Sequence, residues 1–505
     1  MMKKCNLYRD MLFCGLLLCF SACEKYLEEM PQNKLKPSTT DDYEQLLNKA
    51  YLTEQVMPYL DILSDDVELI EANHAMPGAD LGDTQLAAYM WRDRHDLTMP
   101  NEDIAFEKFY ESIFYCNVVL ENIRDAKGVE LNEENVQRTR KNIEGEAHAL
   151  RAYSYFYLVN LYAKAYDPAT CETEPGIPIN NSTSAEDKIY TRNTVLEVYE
   201  QIEGDLIESI RLMKENPIVK NEKLKFTALS AKAMLARVYL YMHRWDEAIQ
   251  CAKEVITENP SIFSLHEYGE ILSMENNEVM FWDDETIPGV DYLAKDNSNV
   301  LFVNGVSELV PTMAYGRFST FSVNRDLADQ FDPNDVRRYY FMSTYANIYS
   351  IQPSTKLTYA KNRYVWLNQV IAIGAGSGYT RVIRTEEMYL ILAEAYAHKT
   401  DGIVSAISYL NQLRETKFRN GTYELLKASD FNLQSLLEYV WEERRRELCF
   451  EGHRWFDLRR TTRPAMERVG YENEVARLRM DDPRYVLQIP QRELSVNPSI
   501  GSNPR

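Results

Sequence analysis

The chain has 505 residues, a formal net charge of −21 and 45% hydrophobic residues. That is enough apolar content for a large packed body and too much for a disordered chain. The acidic balance disfavours nucleic acid and anionic lipid headgroups, because polyanions are held by clustered Lys and Arg that displace counterions; a neutral or cationic ligand suits it better.

At the N-terminus, Lys3, Lys4 and Arg9 precede an apolar run over residues 11–20, too short to cross a bilayer as a helix. Small residues and a cysteine follow directly, as Ser21-Ala22-Cys23. This resembles a bacterial lipoprotein signal, with residues 1–22 removed and the Cys23 thiol lipidated; the alternative is an ordinary signal peptide that contains a cysteine. Two or three acyl chains anchor a protein stably where one is marginal. The tether "CEKYLEEMPQNK" carries acids beside the anchor, which resembles lipoproteins sent to the outer face of an outer membrane. Loss of Lys3, Lys4, Arg9 and Asp10 with the signal takes the formal charge from −21 to −23. Cys116, Cys171, Cys251 and Cys449 are widely spaced and form no C-x-x-C pair, so neither a zinc site nor a disulfide framework is indicated. Burial as small apolar residues is expected for most of them.

Residues 61–101 read as irregular, and most of the remaining chain has helical periodicity. "GEAHALRAYSYFYLVNLYA" from Gly145 pairs with "NTVLEVYEQIEGDLIESIRLM" from Asn193 across a Pro-rich loop. The clearest unit covers residues 225–260. There, Leu229, Ala233, Ala236 and Leu240 mark one helix, and Ala248, Ile249, Ala252 and Ile256 a second, stopped by Pro260. Its length and its Ala and Tyr offsets resemble a tetratricopeptide repeat. A like unit starts at Arg384, with Thr385 as expected cap and Gly402 at the turn. The last unit is "WEERRRELCFEGHRWFDLRR", residues 441–460, broken at Gly452. Its His-Arg-Trp echoes His243-Arg244-Trp245, so Trp245 and Trp455 are expected to plug grooves between paired helices. Residues 261–380 differ: rich in Tyr, Phe, Asn, Ser and Gly, they predict a lobe of short helices, short strands and ordered loops rather than a structureless stretch.

The lipoprotein start, "RAYSYFYLVNLYAKAY" with "PGIPI", "ALSAKAMLARVYLYMHRWDEAI", "RTEEMYLILAEAYA", "ERRRELCFEGHRWFDLRR" and "YVLQIPQRELSVNPSIGSNP" follow one another in this order. Together they resemble the SusD/RagB family of outer-membrane nutrient-binding lipoproteins over nearly the whole mature chain. The usual family ending Asn-Pro-Gly-Tyr is here Asn503-Pro504-Arg505. The resemblance implies a mainly α fold, in which tetratricopeptide-like helix pairs form a right-handed superhelical scaffold beside an irregular, loop-rich lobe. The divisions are a signal at 1–22, an N-terminal helical region at 23–260, a ligand-binding lobe at 261–380, and C-terminal helix pairs with a tail at 381–505. It also implies a partner, a TonB-dependent SusC-like β-barrel transporter, and a ligand that is usually an oligosaccharide, with peptides or other nutrients in some relatives.

The charged block 441–460 invites a catalytic reading, but its acids nearly balance its arginines and its turn has an internal echo. A structural brace is therefore expected, a semi-buried network of Arg444, Arg445, Arg446, Glu447, Glu451 and Arg454, with Glu442 and Arg446 paired across one helical turn. Asp335 is expected to pair with Arg337 or Arg338. No phosphate-cradling loop, metalloprotease helix or nucleophile elbow occurs, so no catalytic residue is named. Glycan-binding proteins offer aromatic platforms with a few polar groups, and Trp91, Trp282, Tyr292 and Tyr315, which lie outside the repeats, are the candidates for this role, with a role in the core equally open for each. No cofactor is expected; calcium at Asp-rich loops stays open without being predicted, because no EF-hand-like spacing is present. Two alternatives stay open: a lipidated repeat scaffold without a small ligand, and a helical glycan-cleaving enzyme with two facing carboxylates.

Overall fold

The computed structural model describes residues 37–52, 56–57, 59–69, 83–93, 104–128, 132–184, 189–218, 223–266, 298–303, 321–346, 353–359 and 382–505. Its first elements are α1 (Thr40–Asn48), the short α2 (Leu60–Leu63), β1 (Val67–Leu69) and α3 (Asp83–Tyr89). Four long helices follow in antiparallel succession: α4 (Ala105–Asn122), α5 (Glu133–Tyr162), α6 (Val195–Glu215) and α7 (Ala228–Tyr241), the last turning into α8 (Trp245–Glu258). Local chemistry sets their starts. Thr39, Thr194 and Thr227 each close a capping box, in which a side-chain oxygen takes an orphan amide of the first turn.

Helix α5 starts at Glu133, capped by Asn132, well before the apolar periodicity at Gly145 announces it. Its first turns are polar and face solvent, so a hydrophobic pattern cannot mark them, whereas nearly every residue from Asn142 to Tyr162 is buried. Gly145 permits the close approach of α6. A Cβ there would lie 2.8 Å from the Met213 side chain and 3.1 Å from the Ser209 carbonyl. In the α7–α8 pair, Ala231, Ala233, Ala236, Ala248 and Ala252 are fully buried, and these small side chains bring the two axes together.

Short paired strands make up much of the described middle of the chain. β2 (Val300–Val303), β3 (Phe321–Val323), α9 (Arg325–Ala328), α10 (Val336–Phe341), β4 (Met342–Ala346) and β5 (Pro353–Tyr359) lead to β6 (Val382–Arg384). β1 pairs antiparallel with β3, and β2 with β6. These ladders tie the middle of the chain to the N-terminal region on one side and to the C-terminal helices on the other.

The C-terminal part holds α11 (Thr385–Ala397), α12 (Ile403–Glu415), α13 (Leu433–Leu448), α14 (Arg454–Arg460), the hairpin β7 (Met466–Val469) and β8 (Val475–Leu478), and α15 (Gln491–Val496). α11 packs on α8, α12 and α13, continuing the stack. Thr385 does not cap α11. The N-cap is Arg384, and the Thr385 backbone and hydroxyl both donate to the Asn299 carbonyl, because the β2–β6 ladder delivers that acceptor. Gly402 is at the expected turn; a Cβ there would collide with the Tyr396 carbonyl at 1.8 Å. One apolar cluster runs from Tyr43 to Ile500 through most of these elements. Cys116, Cys171 and Cys449 are buried in the structure, Cys251 is half-buried, and all four are free thiols. The altered C-terminus is pinned by Asn503, which is 7% exposed and donates to the Tyr162 and Leu487 carbonyls.

Candidate functional site

The charged block 441–460 is almost wholly internal. On α13, Glu443, Arg444, Arg445, Arg446 and Glu447 are all buried. Glu447 accepts from Arg384 at 2.6 Å and from Arg337 at 2.8 Å, and Glu451 accepts from Arg384 at 3.0 Å. The Asp335–Arg337 pair forms at 2.6 Å with both side chains buried. Arg446 pairs with Glu443 at 2.8 Å, not with Glu442. Glu443 is the residue that faces inward, where Arg337 and Arg414 also converge on it. These guanidiniums outweigh the burial that would raise the carboxyl, and hold Glu443 well below the usual carboxylate range.

A second layer joins α7, α11, α13 and α14. Arg237 forks onto Glu387 at 2.6 and 2.8 Å. Arg444 bonds Asp457 at 2.9 Å, and Arg460 bonds Glu394 at 2.5 Å. Burial alone would raise Glu394, but Arg460 outweighs it and holds the carboxyl down at about 2. His453 lies inside this layer, with Nδ1 3.3 Å from an Arg444 nitrogen. Burial pushes its pKa down to about 3, so the ring is neutral at physiological pH and Nδ1 accepts from the guanidinium.

The two His-Arg-Trp turns are related in sequence but differ in environment. Trp455 is 1% exposed and stacks on Tyr485 at 4.9 Å. Trp245 is half-buried and stacks on His398 at 3.9 Å, joining the α7–α8 turn to the end of α11. The left-handed residue is His243 in the first turn and Gly452, with Phe450, in the second.

The concavities that open to solvent among the described residues include the following two. The first, of 420 Å³, lies between the β1–β3 ladder and the β7–β8 hairpin. Asp65, Glu68, Asp326 and Glu467 contribute carboxylates to it, Asn324 an amide, and Tyr89 and Trp91 aromatic surface. Its base is built by the charged block. Arg454 forks onto Asp65 with two bonds of 2.7 Å, and Arg445 bonds the buried Asp66 at 2.7 Å. Despite burial, Arg454 and Arg445 keep Asp65 below the usual carboxylate range. Arg468 from β7 closes the base. It donates to the main-chain carbonyls of Ile62, Ser64 and Tyr89, and its guanidinium lies 4.1 Å from the centre of the Trp91 ring.

Trp91 therefore borders the cleft but is only 2% exposed. Its Nε1 donates to the Leu63 carbonyl at 2.9 Å, and one ring face is covered by Arg468, so it forms packed wall rather than a free platform. Trp282, Tyr292 and Tyr315 lie outside the described residues. The residues that sequence reading missed here are Asp65, Asn324, Asp326 and Glu467. They come from three distant segments, and no local pattern links them.

The second concavity, of 590 Å³, is more apolar and includes Phe106, Tyr110, Ile189, Val496 and Glu493. Its polar groups are largely turned to neighbours: Tyr110 donates to the Pro178 carbonyl and Asn497 to the Tyr190 carbonyl. Among the described residues, no group of three or more His, Cys, Asp and Glu is placed to hold a metal ion, and no helix is long and apolar enough to cross a membrane.

Two family models match the chain. One, described as "Starch-binding associating with outer membrane", matches residues 25–240, and the SusD family model matches residues 315–505. SusD-like protein P2 of Formosa agariphila is 25% identical, over 97% of this chain and 98% of its own length. A SusD superfamily protein from Bacteroides vulgatus superposes with a TM-score of 0.70 at 22% identity, covering 92% of this chain and 99% of that one. A structure described as a laminarin binding SusD-like protein superposes with a TM-score of 0.59 at 20% identity, covering 93% of this chain and all of the other.

Proposed function

Because the chain belongs to the SusD/RagB family, we propose that it is an outer-membrane lipoprotein facing the exterior, anchored through Cys23, that binds a nutrient oligosaccharide. It passes this ligand to a TonB-dependent SusC-like transporter and catalyses nothing itself. The observation that carries the ligand reading is the polar-and-aromatic cleft of 420 Å³ between the β1–β3 ladder and the β7–β8 hairpin. Sugars bind through hydroxyls that need carboxylates and amides, and through C–H faces that need apolar or aromatic walls. Asn324, Asp326 and Glu467 supply the first kind of group, and Leu69, Met466 and Val469 the second, with the buried rings of Tyr89 and Trp91 packed behind them. The laminarin binding relative of the same fold supports this choice of ligand. Trp282, Tyr292 and Tyr315 are proposed as further contacts.

Calorimetry on the mature chain with a panel of oligosaccharides and peptides tests the reading. Saturable binding of an oligosaccharide, weakened by Asn324→Ala, is expected. Silence across all glycans, or binding of peptides alone, sinks it. For the partner, co-purification with a SusC-like barrel is expected, and a Cys23→Ala chain is expected to leave the membrane fraction.

A further inference from the structure

Four carboxylates and one guanidinium belong to the described residues that line the 420 Å³ cleft: Asp65, Glu68, Asp326 and Glu467 against Arg468. What each group can offer a ligand follows from its partners. Arg468 is 7% exposed, is bonded to three main-chain carbonyls, and has ring faces of Tyr89 and Trp91 within 4.6 and 4.1 Å. It is a clamp on the cleft base and is not presented for bidentate capture of an acidic sugar. Asp65 is held by Arg454 and Arg445, so its charge is compensated from below. Glu467 meets Arg477 across the hairpin at 2.6 Å, with both side chains more than half exposed. Such a pair in solvent is weak and readily gives way to a ligand hydroxyl. Asp326 is exposed on α9, and the Asn324 carbonyl oxygen is occupied by the Asp326 backbone amide at 2.9 Å, which leaves its NH₂ as a neutral donor.

Arg454 and Arg445 offset Asp65 and the buried Asp66, and Arg477 offsets Glu467, so the lining is rich in acceptors and keeps a small net negative charge from Glu68 and Asp326 against Arg468. Hydroxyl groups of an uncharged sugar can donate to Asp326 and Glu467, the exposed carboxylates of the lining. A carboxylate or sulfate ester would meet like charge at a few ångströms, which costs binding energy at low salt and less as salt screens it. Resting on the oligosaccharide reading above, we propose that this cleft selects uncharged oligosaccharides and rejects uronate and sulfated ones. Asp326 and Glu467 act as the discriminating residues.

The test uses the mature chain and calorimetry at low and at 0.5 M NaCl. The probes are neutral malto-, laminari- and xylo-oligosaccharides, with oligogalacturonate and a sulfated galactan oligomer of matched length. At least one neutral probe is expected to bind ten-fold or more tighter than either anionic probe at low salt. The gap should narrow as salt is raised, with neutral-probe affinity unchanged within two-fold. Asp326→Asn with Glu467→Gln is expected to strengthen binding of the anionic probe several-fold. The salt series on the unaltered chain decides the matter even if that variant folds poorly. Anionic probes binding as tightly as, or more tightly than, the neutral ones would overturn the selectivity and leave the oligosaccharide reading standing. Silence of every glycan would overturn both.

Discussion

Arg454 grips Asp65 through two bonds of 2.7 Å, across 389 residues of sequence. This fork joins the arginine-rich turn of the C-terminal helices to the base of the proposed ligand cleft. Arg454→Ala is therefore expected to act on both at once. It would lower stability by about 1–3 kcal/mol, since it leaves a half-buried carboxylate with Arg445 alone, at 3.4 Å. It would also weaken oligosaccharide binding, because Asp65 is no longer held. Denaturant unfolding and calorimetry on the same sample check this; a variant that loses stability but binds unchanged would separate the brace from the cleft.

Glu447 is the hub of the buried network, receiving Arg337 and Arg384 and lying 3.8 Å from Lys417. Glu447→Gln removes the shared negative charge, while Arg337 keeps Asp335 and Glu443, Arg384 keeps Glu451, and Lys417 keeps Glu386. A loss of about 2–3 kcal/mol is expected, read as a fall in denaturant midpoint with an unchanged slope. Glu442→Gln, one position outside the network, serves as the comparison and is expected to change stability by less than about 0.5 kcal/mol.

His453 makes stability depend on mildly acidic pH. Burial depresses its folded pKa to about 3, below the unfolded value of about 6.5. The unfolded chain thus binds the extra proton first as pH falls. The contribution is fully present above about pH 6.5 and is lost as pH falls toward 3. One such group gives a loss of about 2–3 kcal/mol between pH 6.5 and 4.5. His453→Gln is expected to flatten that part of the stability curve. Glu394, held at about 2 by Arg460 despite its burial, adds its own loss only as pH falls below about 4.5. A curve of the same slope in the variant would remove His453 from this role.

Trp91 is a probe of stability as much as of binding. Trp91→Ala empties a packed site and frees both the Leu63 carbonyl and one face of Arg468, with an expected cost of about 3–5 kcal/mol. Trp91→Phe keeps a ring under Arg468 and gives up the Nε1 bond, at an expected cost of about 1–2 kcal/mol. If the cleft binds sugar as proposed, Trp91→Phe retains most of the affinity, and titration of the two variants side by side checks it.

Much of the scaffold was legible in the sequence because its signals are local. The alanine-lined pair over residues 225–260 and the unit from Arg384 appear as α7–α8 and α11–α12, since a 3–4 spacing of apolar residues needs only a neighbouring helix to bury it. The early turns of α5 escaped because they are polar and exposed. Thr385 as a cap and Glu442 as a partner also failed, for one shared reason: a side chain bonds what the surrounding elements bring to it. The β2–β6 ladder brings the Asn299 carbonyl to Thr385, and the inward face of α13 brings Glu443, not Glu442, to Arg446.

By itself, the sequence determined the helix-pair scaffold, the family, and the structural character of the charged turn. Periodicity, capping and the His-Arg-Trp echo are all carried within short stretches. Only the tertiary structure decided which acid each arginine holds, that Trp91 is wall rather than platform, and that a cleft exists whose carboxylates come from residues 65–68, 326 and 467. Ion pairing and cleft formation depend on distances between segments hundreds of residues apart, and such distances have no period in a chain.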